Sequence, residues 1–285
     1  MRSTTLAGPR VSIIMLTYNR PQLIGRAIQS VLEQDFPSWE LLVVQDGDNP
    51  HTIQVMEDWT GREPRMQHFR RNQPGNIADA INYGIRRSRG EYIAILDDDD
   101  YWARPDKLAM QVRFLDTNPE YAGCGGGINV IDPTGNVRLR NLKPQSHGEI
   151  RRRALYANPI AHSTVVYRRE ALERCGLYDV SLPGFQDWDV CLKMGKLGKL
   201  YNFPEVLACY QLWEGGGSFH AQRANTLAAV RIVRRHRHDY RGFPVAFPMA
   251  CAYYAYARLP VSWRRVSYQF LSRMKKSLFG TRAAI

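Results

Sequence analysis

The chain has 285 residues, of which 44% are hydrophobic and 23% are charged, a balance typical of globular proteins. Five cysteines are widely spaced without a CxxC pair, which argues against a disulfide framework and a cysteine zinc site. The formal net charge is +12, and residues 221–285 carry all of it, with 13 Lys and Arg residues and one acid. Such asymmetry predicts a neutral body, residues 1–220, followed by a basic extension that suits an anionic partner.

The first half of the sequence alternates apolar strands with amphipathic helices. Residues 11–16 form an apolar run that predicts a buried strand, and Pro21 suits the first position of the following helix. A second strand is predicted in "ELLVVQD", a helix at about 52–59, a short strand near 66–69 and a helix at about 76–87. "EYIAIL" then predicts another buried strand. This alternation predicts a parallel sheet with helices on both faces.

Three of these predicted strands end in clusters of polar residues. The clusters are Thr17-Tyr18-Asn19, Asp46-Gly47-Asp48 and the four consecutive aspartates at 97–100. Because the carboxyl ends of parallel strands lie at one edge of a sheet, we expect the clusters to meet where ligands bind. Four adjacent carboxylates repel one another, so either the turn is solvated or a cation joins them. Mg²⁺ and Mn²⁺ bind such carboxylates and complete their shells with water and substrate phosphates.

The second half of the sequence is less regular. A glycine-rich strand is predicted in "YAGCGGGINVID", and a strand followed by a helix in "HSTVVYRREALERCG". "GFQDWDVCLKMGKLGK" predicts a polar turn that leads into a helix, and "KLYNFPEVLACYQLW" predicts one or two short strands. The sequence therefore predicts an α/β domain over residues 1–220 and a basic, aromatic, helical extension over 221–285.

Three stretches resemble, in their order and spacing, family 2 glycosyltransferases of the GT-A fold. They are "VSIIMLTYNRPQLIGRAIQSVLEQDFPSWELLVVQDG", "NIADAINYGIRRSRGEYIAILDDDDYWARPDKL" and "GFQDWDVCLKMGKLGK". The resemblance covers roughly residues 10–220. It implies a GT-A-type single domain with a mostly parallel central sheet flanked by helices, a nucleotide-binding half at about 10–105 and an acceptor half at about 106–220. It also implies an inverting transferase that uses a nucleotide-diphosphate sugar and a divalent metal.

The resemblance also implies which residues bind the donor. They are Thr17, Tyr18, Asn19, Arg20, Asp46, Asn82, Asp97 and Asp98. Two positions depart from the family's pattern. Gln45 precedes Asp46 where two acids are common, and Ile81 precedes Asn82 where an arginine is common, so either of the arginines at 70 and 71 is an alternative source of that charge.

The metal ligands and the base follow from two further motifs of the family. The DxD motif matches residues 97–99 and implies Asp99 first, and Asp97, as ligands of Mn²⁺ or Mg²⁺, with Asp98 on the ribose or sugar. Inversion requires a general base within reach of the acceptor hydroxyl. The motif "QDWD" at 186–189 implies Asp187 as that base, with helix capping as its alternative role. Trp188 is predicted to line the acceptor site or to lie in the core.

The C-terminal part of the sequence predicts membrane contact. After Trp263, apolar residues recur every three or four positions opposite Arg and Lys, as in helices that lie on anionic membranes. The alternative is a helix packed on the body. "FPVAFPMACAYYAYA" contains two prolines and is too short to span a bilayer. His220, after the glycines at 215–217, is a further candidate for the metal or phosphate site.

The residues and the resemblance together favour a transferase over three alternatives. We expect a UDP, dTDP or GDP sugar as donor, a glycan or lipid-linked acceptor, and a role in cell-surface polysaccharide synthesis. Because no apolar signal segment begins the sequence, we expect a cytoplasmic protein, either free or peripheral on the inner membrane face. The pI near 9.6 favours a nucleic-acid-binding protein, but the acidic strand ends would repel phosphates. A nucleotidyltransferase would need glycines in "TYNRPQ", and a degenerate scaffold would not need Asp46, Asp99 and Asp187.

Overall fold

The computed structural model describes residues 8–71, 75–211 and 222–259. Its strands are β1 (Val11–Thr17), β2 (Trp39–Asp46), β3 (Met66–Arg71), β4 (Tyr92–Asp97), β5 (Asp100–Trp102), β6 (Tyr121–Ile131), β7 (Val137–Asn141), β8 (Val166–Arg168) and β9 (Lys199–Gln211). Its helices are α1 (Pro21–Leu32), α2 (Pro50–Arg62), α3 (Ile77–Arg87), α4 (Lys107–Thr117), α5 (His147–Arg153), α6 (Arg169–Arg174), α7 (Gln186–Leu197), α8 (Gln222–Arg235) and α9 (Phe243–Tyr256). A 3₁₀ turn at His162–Thr164 precedes β8.

The described strands form one sheet in the order β3-β2-β1-β4-β8-β6-β9-β5, with β7 paired to β6. The first four strands in this order are parallel, as predicted from the strand–helix alternation. β8 then enters antiparallel between β4 and β6, and β9 lies parallel to β6. The sheet is therefore parallel from β3 to β4 in this order and mixed from β8 to β5.

Alternating side chains of the parallel strands build two hydrophobic cores. On one face, Ile13 and Met15 pack with apolar residues of α1, α2 and α4. On the other face, Ile14 packs with residues of α3, α6 and α7. Successive side chains of a strand point to opposite faces, so strands covered on both sides read as continuous apolar runs.

The helices begin where local capping chemistry starts them. Asn49 accepts a hydrogen bond from the Thr52 backbone, and Pro50 occupies the first turn of α2, so the helix is longer than the predicted 52–59. Asn76 caps α3 by accepting from the Ala78 backbone. These caps fix the path of the chain where it leaves β2 and β3, at the edge of the sheet that carries the polar strand ends.

The described part of the C-terminal extension packs on the body. Ala228, Ile232 and Val233 of α8 join Trp188 and Leu192 of α7 in a third hydrophobic core. The predicted amphipathic helix after residue 263, the glycines at 215–217 and His220 lie outside the described residues.

Candidate active site

The cation that joins the acidic turn is Arg20. This residue lies after β1, at the position just before α1, and the pairing of β1 with β4 brings it beside the turn between β4 and β5. Its Nη2 lies 2.6 Å from Asp98 Oδ1, and its Nη1 lies 2.5 Å from Asp99 Oδ2. One guanidinium therefore holds two neighbouring carboxylates, a geometry that its fork of donors suits.

The aspartates of the turn carry unequal charge. The pKa of Asp98 is raised to about 7, chiefly by burial; the charge of Asp99 acts in the same direction, and Arg20 opposes both. Burial and the neighbouring aspartates also raise the pKa of Asp100, which accepts a hydrogen bond from Ser163 Oγ at 2.5 Å. Burial acts in the same direction on Asp97, but His162 and Arg20 outweigh it and lower the pKa of this carboxyl.

The two more exposed carboxylates of the turn, those of Asp97 and Asp99, fit a divalent cation that also binds a phosphate of the substrate. The side chains of Asp97 and Asp99 are 37% and 20% exposed, whereas Asp98 is fully buried. Within the described ranges, no three His, Cys, Asp or Glu residues are grouped so that they could hold a metal by themselves. Mg²⁺ and Mn²⁺ commonly use one or two carboxylates and take their other ligands from water and substrate phosphates. The residues present therefore suit a metal site that the donor completes.

Asp187 lies in the first turn of α7 and is half-buried. Asn158 Nδ2 donates a hydrogen bond to Asp187 Oδ2 at 2.6 Å. The next residue, Trp188, is 5% exposed, and its Nε1 donates to the Ala154 carbonyl at 2.7 Å. Trp188 is therefore a core residue, whereas Asp187 keeps part of its surface exposed.

His162 contacts the acidic turn and lies close enough to Asp187 to be affected by its charge. His162 Nδ1 lies 3.5 Å from Asp97 Oδ2, and its Nε2 lies 3.1 Å from the Tyr178 hydroxyl. Burial lowers the pKa of His162, but the charges of Asp97 and Asp187 outweigh burial and raise it. Burial together with both carboxylates also raises the pKa of Tyr178 and of Tyr210. His162, Tyr178 and Tyr210 are thus close enough to both Asp187 and the acidic turn for their pKa values to be affected by each.

The ends of β1 and β2 line the other side of the polar edge. Thr17 is buried, Tyr18 is 50% exposed, and Asn19 adopts a left-handed conformation at φ 54°. Asp46 Oδ2 accepts a hydrogen bond from the Gly75 backbone at 2.8 Å, and its Oδ1 lies 3.7 Å from Arg71 Nε. The predicted donor-binding residues at these strand ends therefore lie on the same sheet edge as residues 97–100.

The family model described as Glycosyl transferase family 2 matches residues 12–176. The chain belongs to this family. Two bacterial relatives agree: a glycosyltransferase of uncharacterised function from Haemophilus influenzae, 26% identical over 72% of this chain and 66% of its own, and the putative glycosyltransferase EpsE of Bacillus subtilis, 27% identical over 75% and 76%. The protein is thus a family 2 glycosyltransferase, as the resemblance implied.

Solved structures of glycosyltransferases share the fold of this family 2 chain. TarS of S. aureus, solved with UDP-GlcNAc, has a TM-score of 0.66 at 17% identity and covers 96% of this chain and 76% of its own. The mannosyltransferase PcManGT of Pyrobaculum calidifontis, solved with GDP-Man and Mn²⁺, has a TM-score of 0.63 at 20% identity over 95% and 81%. These likenesses confirm the predicted GT-A fold.

Asn82 has a structural role in this glycosyltransferase, contrary to the contact that the resemblance implied. It is 2% exposed, its Nδ2 donates to the Tyr178 carbonyl at 2.8 Å, and its Oδ1 accepts from the Tyr178 backbone at 3.0 Å. Both ends of the amide bond to the Tyr178 backbone, so Asn82 joins α3 to the loop before α7. The alternative cations Arg70 and Arg71 pair with Asp48 and Asp79.

Sequence reasoning missed three polar residues of the site. His162 and Ser163 begin a segment interpreted as a strand and helix without a site motif, and Asn158 lies just before that segment. They reach the site because the 3₁₀ turn leads into β8, which pairs with β4 beside the acidic turn. The polar segment "NPIAHS" was a visible signal, but its partners lie 29 and 66 residues away in the chain.

Proposed function

We propose that this family 2 enzyme is a metal-dependent, inverting glycosyltransferase. It moves a sugar from a nucleotide-diphosphate donor to a hydroxyl of a glycan or lipid-linked acceptor, in cell-surface polysaccharide synthesis. The observation that carries the proposal is His162, which contacts Asp97 and lies in the field of Asp187. A metal–diphosphate group at the turn and a base opposite it would thus flank one substrate cavity.

The donor would lie along the edge formed by β1, β2 and β4. Tyr18 and Asp46 would contact the base and ribose. Asp98, which Arg20 covers here, would contact the ribose or sugar once the donor diphosphate draws Arg20 away from it. Asp99 and Asp97 would hold Mn²⁺ or Mg²⁺, which when bound stabilises the negative charge that develops on the leaving diphosphate. Arg20 places a second positive charge at the same point. The solved relatives that contain UDP-GlcNAc, or GDP-Man with Mn²⁺, support a ligand of this kind.

The acceptor hydroxyl would approach from the α7 side. Asp187 takes its proton while the hydroxyl oxygen attacks the anomeric carbon from the face opposite the diphosphate. The sugar–phosphate bond breaks, and its electron pair leaves with the diphosphate. Because the attack comes from the opposite face, the anomeric configuration is inverted.

The enzyme would be cytoplasmic and would attach to the inner face of the membrane through its C-terminal extension. Residues 242–257 contain no charged side chain, yet Val245 and Tyr253 of α9 are 52% and 47% exposed. Residues 260–285 then add six Lys and Arg residues and no acid. An apolar surface followed by basic residues suits an anionic bilayer. In the described part of the chain, no helix has the length and apolar character needed to cross a bilayer.

A thermal-shift screen of UDP, GDP, dTDP and CDP, each with and without Mn²⁺, tests this function. A ligand that binds the native state raises Tm, so we expect one nucleotide to stabilise the protein and to require the metal. Asp99→Ala should lose the metal-dependent part, whereas Asp187→Asn should retain it and lose transfer by at least about a hundredfold. Stabilisation that is equal with and without Mn²⁺ would contradict the metal, and full turnover by Asp187→Asn would contradict the base.

A further inference from the structure

Asn158 holds the carboxylate that the proposed reaction uses as its base. Its Nδ2 donates to Asp187 Oδ2 at 2.6 Å, a short distance for a nitrogen donor on a carboxylate. We propose that Asn158 is a positioning residue, which occupies one oxygen of Asp187 and directs the other toward the acceptor hydroxyl. The inference rests on the proposed function, because it requires Asp187 to be the base.

A residue that positions another must itself be fixed, and Asn158 is. Its Oδ1 accepts a hydrogen bond from the Ile160 backbone at 3.2 Å, and its carbonyl accepts from Lys143 Nζ at 3.4 Å. The carbonyl of the next residue, Pro159, accepts from Asn202 Nδ2 at 3.0 Å, and Asn202 on β9 is fully buried. The amide of Asn158 is therefore aimed by contacts on both sides, as a preorganised site requires.

Packing also fixes this segment against the sheet. Ile160 is 1% exposed, and its Cγ2 would lie only 2.4 Å from a Cβ placed on Gly125 of β6. The chain around 158–160 thus reaches the sheet closely enough that β6 must have a glycine there. Asn158 consequently takes its position from β6 and β9, two central strands of the acceptor half, rather than from a free loop.

The other polar neighbours of Asp187 act on it through charge. The Asp187 charge opposes the lowering of the Lys143 pKa by burial, and it helps to raise the pKa of His162. Charge acts over several ångströms and sets no orientation, whereas a hydrogen bond is directional and weakens steeply when misaligned. Asn158 therefore supplies what these cations do not, a fixed direction for one carboxylate oxygen.

Two substitutions separate positioning from a structural role in the turn at Ile160. Asn158→Asp keeps an oxygen that accepts from the Ile160 backbone but replaces the donor to Asp187 with a repelling carboxylate. Asn158→Ala loses both bonds. If Asn158 only holds the turn, the Asp variant keeps wild-type turnover and the Ala variant does not. If Asn158 positions the base, both lose turnover, and the Asp variant loses at least as much as the Ala variant.

The measurement is kcat and KM for release of UDP or GDP from UDP-GlcNAc or GDP-mannose with Mn²⁺, where water replaces the acceptor hydroxyl. We expect kcat to fall by about tenfold to a hundredfold in both variants, because misplacing a reacting group by 1 Å has a cost of that size. The donor KM and the Tm shift caused by UDP or GDP should stay within about twofold of wild type. Wild-type kcat in Asn158→Asp would overturn the proposal.

A second background separates this inference from the proposed function. When Asp187→Asn has already removed the base, adding Asn158→Ala should change the residual rate by less than about twofold, because coupled residues are not additive. A further tenfold loss in that background would mean that Asn158 acts independently of Asp187 and would refute positioning. Full activity of Asp187→Asn alone would instead refute the base, and the inference with it.

Discussion

Arg20 explains how four adjacent aspartates can end a buried strand. It pairs with Asp98 and Asp99, while Ser163 and His162 take up Asp100 and Asp97. Burial nevertheless makes the charge on Asp98 costly, as its raised pKa indicates. Grouping four carboxylates in this turn therefore lowers the free energy of unfolding, as is expected at functional sites.

The first prediction concerns the pH dependence of this cost. The pKa of Asp98 is raised to about 7 from an ordinary value of 3.8, so between these values the native state binds more protons than the unfolded state. The contribution of Asp98 to the free energy of unfolding therefore falls as pH rises from about 4 to 7. We expect Asp98→Asn to raise Tm above wild type at pH 8, and to match it near pH 4, in EDTA without nucleotide.

Asp132, in the turn between β6 and β7, offers a matched control. Its hydrogen bonds to Thr134, Asn136 and Arg138 lower its pKa to about 2, so both states are ionised above pH 5. The Tm difference for Asp132→Asn should be constant between pH 5 and 8. An equally flat profile for Asp98→Asn would contradict the first prediction.

Helix α7 connects the site to the C-terminal helices through a buried carboxylate. Asp189 is fully buried, with Arg235 Nη1 at 2.9 Å, His236 Nε2 at 3.0 Å and Lys193 Nζ at 3.5 Å. Burial disfavours its charge, but these partners outweigh burial and lower the pKa of Asp189. The end of α8 is thereby joined to the helix that carries Asp187.

The second prediction is that Asp189→Asn destabilises the protein by about 1–3 kcal/mol, because Arg235, His236 and Lys193 lose a charged acceptor in the protein interior. Urea unfolding at pH 7 measures this change. Glu170→Gln is the control, since Glu170 and Arg174 are 82% and 62% exposed and such pairs contribute about 0.5 kcal/mol. A loss for Asp189→Asn that does not exceed the control would show that α8 is held by its apolar contacts alone.

The elements that sequence predicted well are those whose signals are local. Residues 11–16 and "EYIAIL" form strands that are buried on both faces. Each is therefore a continuous apolar run, which identifies a strand without reference to its partners. Pro21 and Asn76 mark helix starts that the sequence predicted to within one residue, whereas α2 begins at Pro50, two residues before the predicted start. The ends of these strands met at one edge, as parallel pairing requires.

Long-range contacts decided what the sequence could not indicate. Asn82 had the position of a donor contact, but Tyr178, which occupies its amide, lies 96 residues further along. Asp189 lies in the first turn of α7, but its partners Arg235 and His236 come from the end of α8, which no local pattern indicates. Asn158 and His162 belong to the site only because β8 inserts antiparallel into the sheet.

At the scale of the whole molecule, basic charge and exposed apolar surface lie at the same end of the chain. The third prediction is that truncation after Leu259 lowers sedimentation with anionic vesicles by at least about fivefold at 0.1 M salt, since each basic residue near such a surface contributes about 1 kcal/mol. The nucleotide-dependent Tm shift should be unchanged. Val245→Glu, on the exposed face of α9, should weaken binding further in the truncated chain.

Neutral vesicles are the control for charge. Because they carry no net charge, residues 260–285 should not increase binding to them through their basic side chains. Equal sedimentation of the full and truncated chains with anionic vesicles would contradict membrane attachment through residues 260–285. Salt-dependent binding of the full chain to DNA in place of vesicles would favour a nucleic-acid partner.

The pairing of β5 with β9 has a consequence for how the enzyme is made. Asp100 begins β5, and its strand partner is Tyr210, near the end of β9. A ribosome that adds about 5–20 residues per second completes the acidic turn long before it completes that partner. The nascent chain therefore carries its four aspartates in an unfinished sheet until β9 has emerged. We expect proteolysis of stalled chains to cleave near residue 100 when stalling precedes β9, and to spare that region once β9 is free of the ribosome.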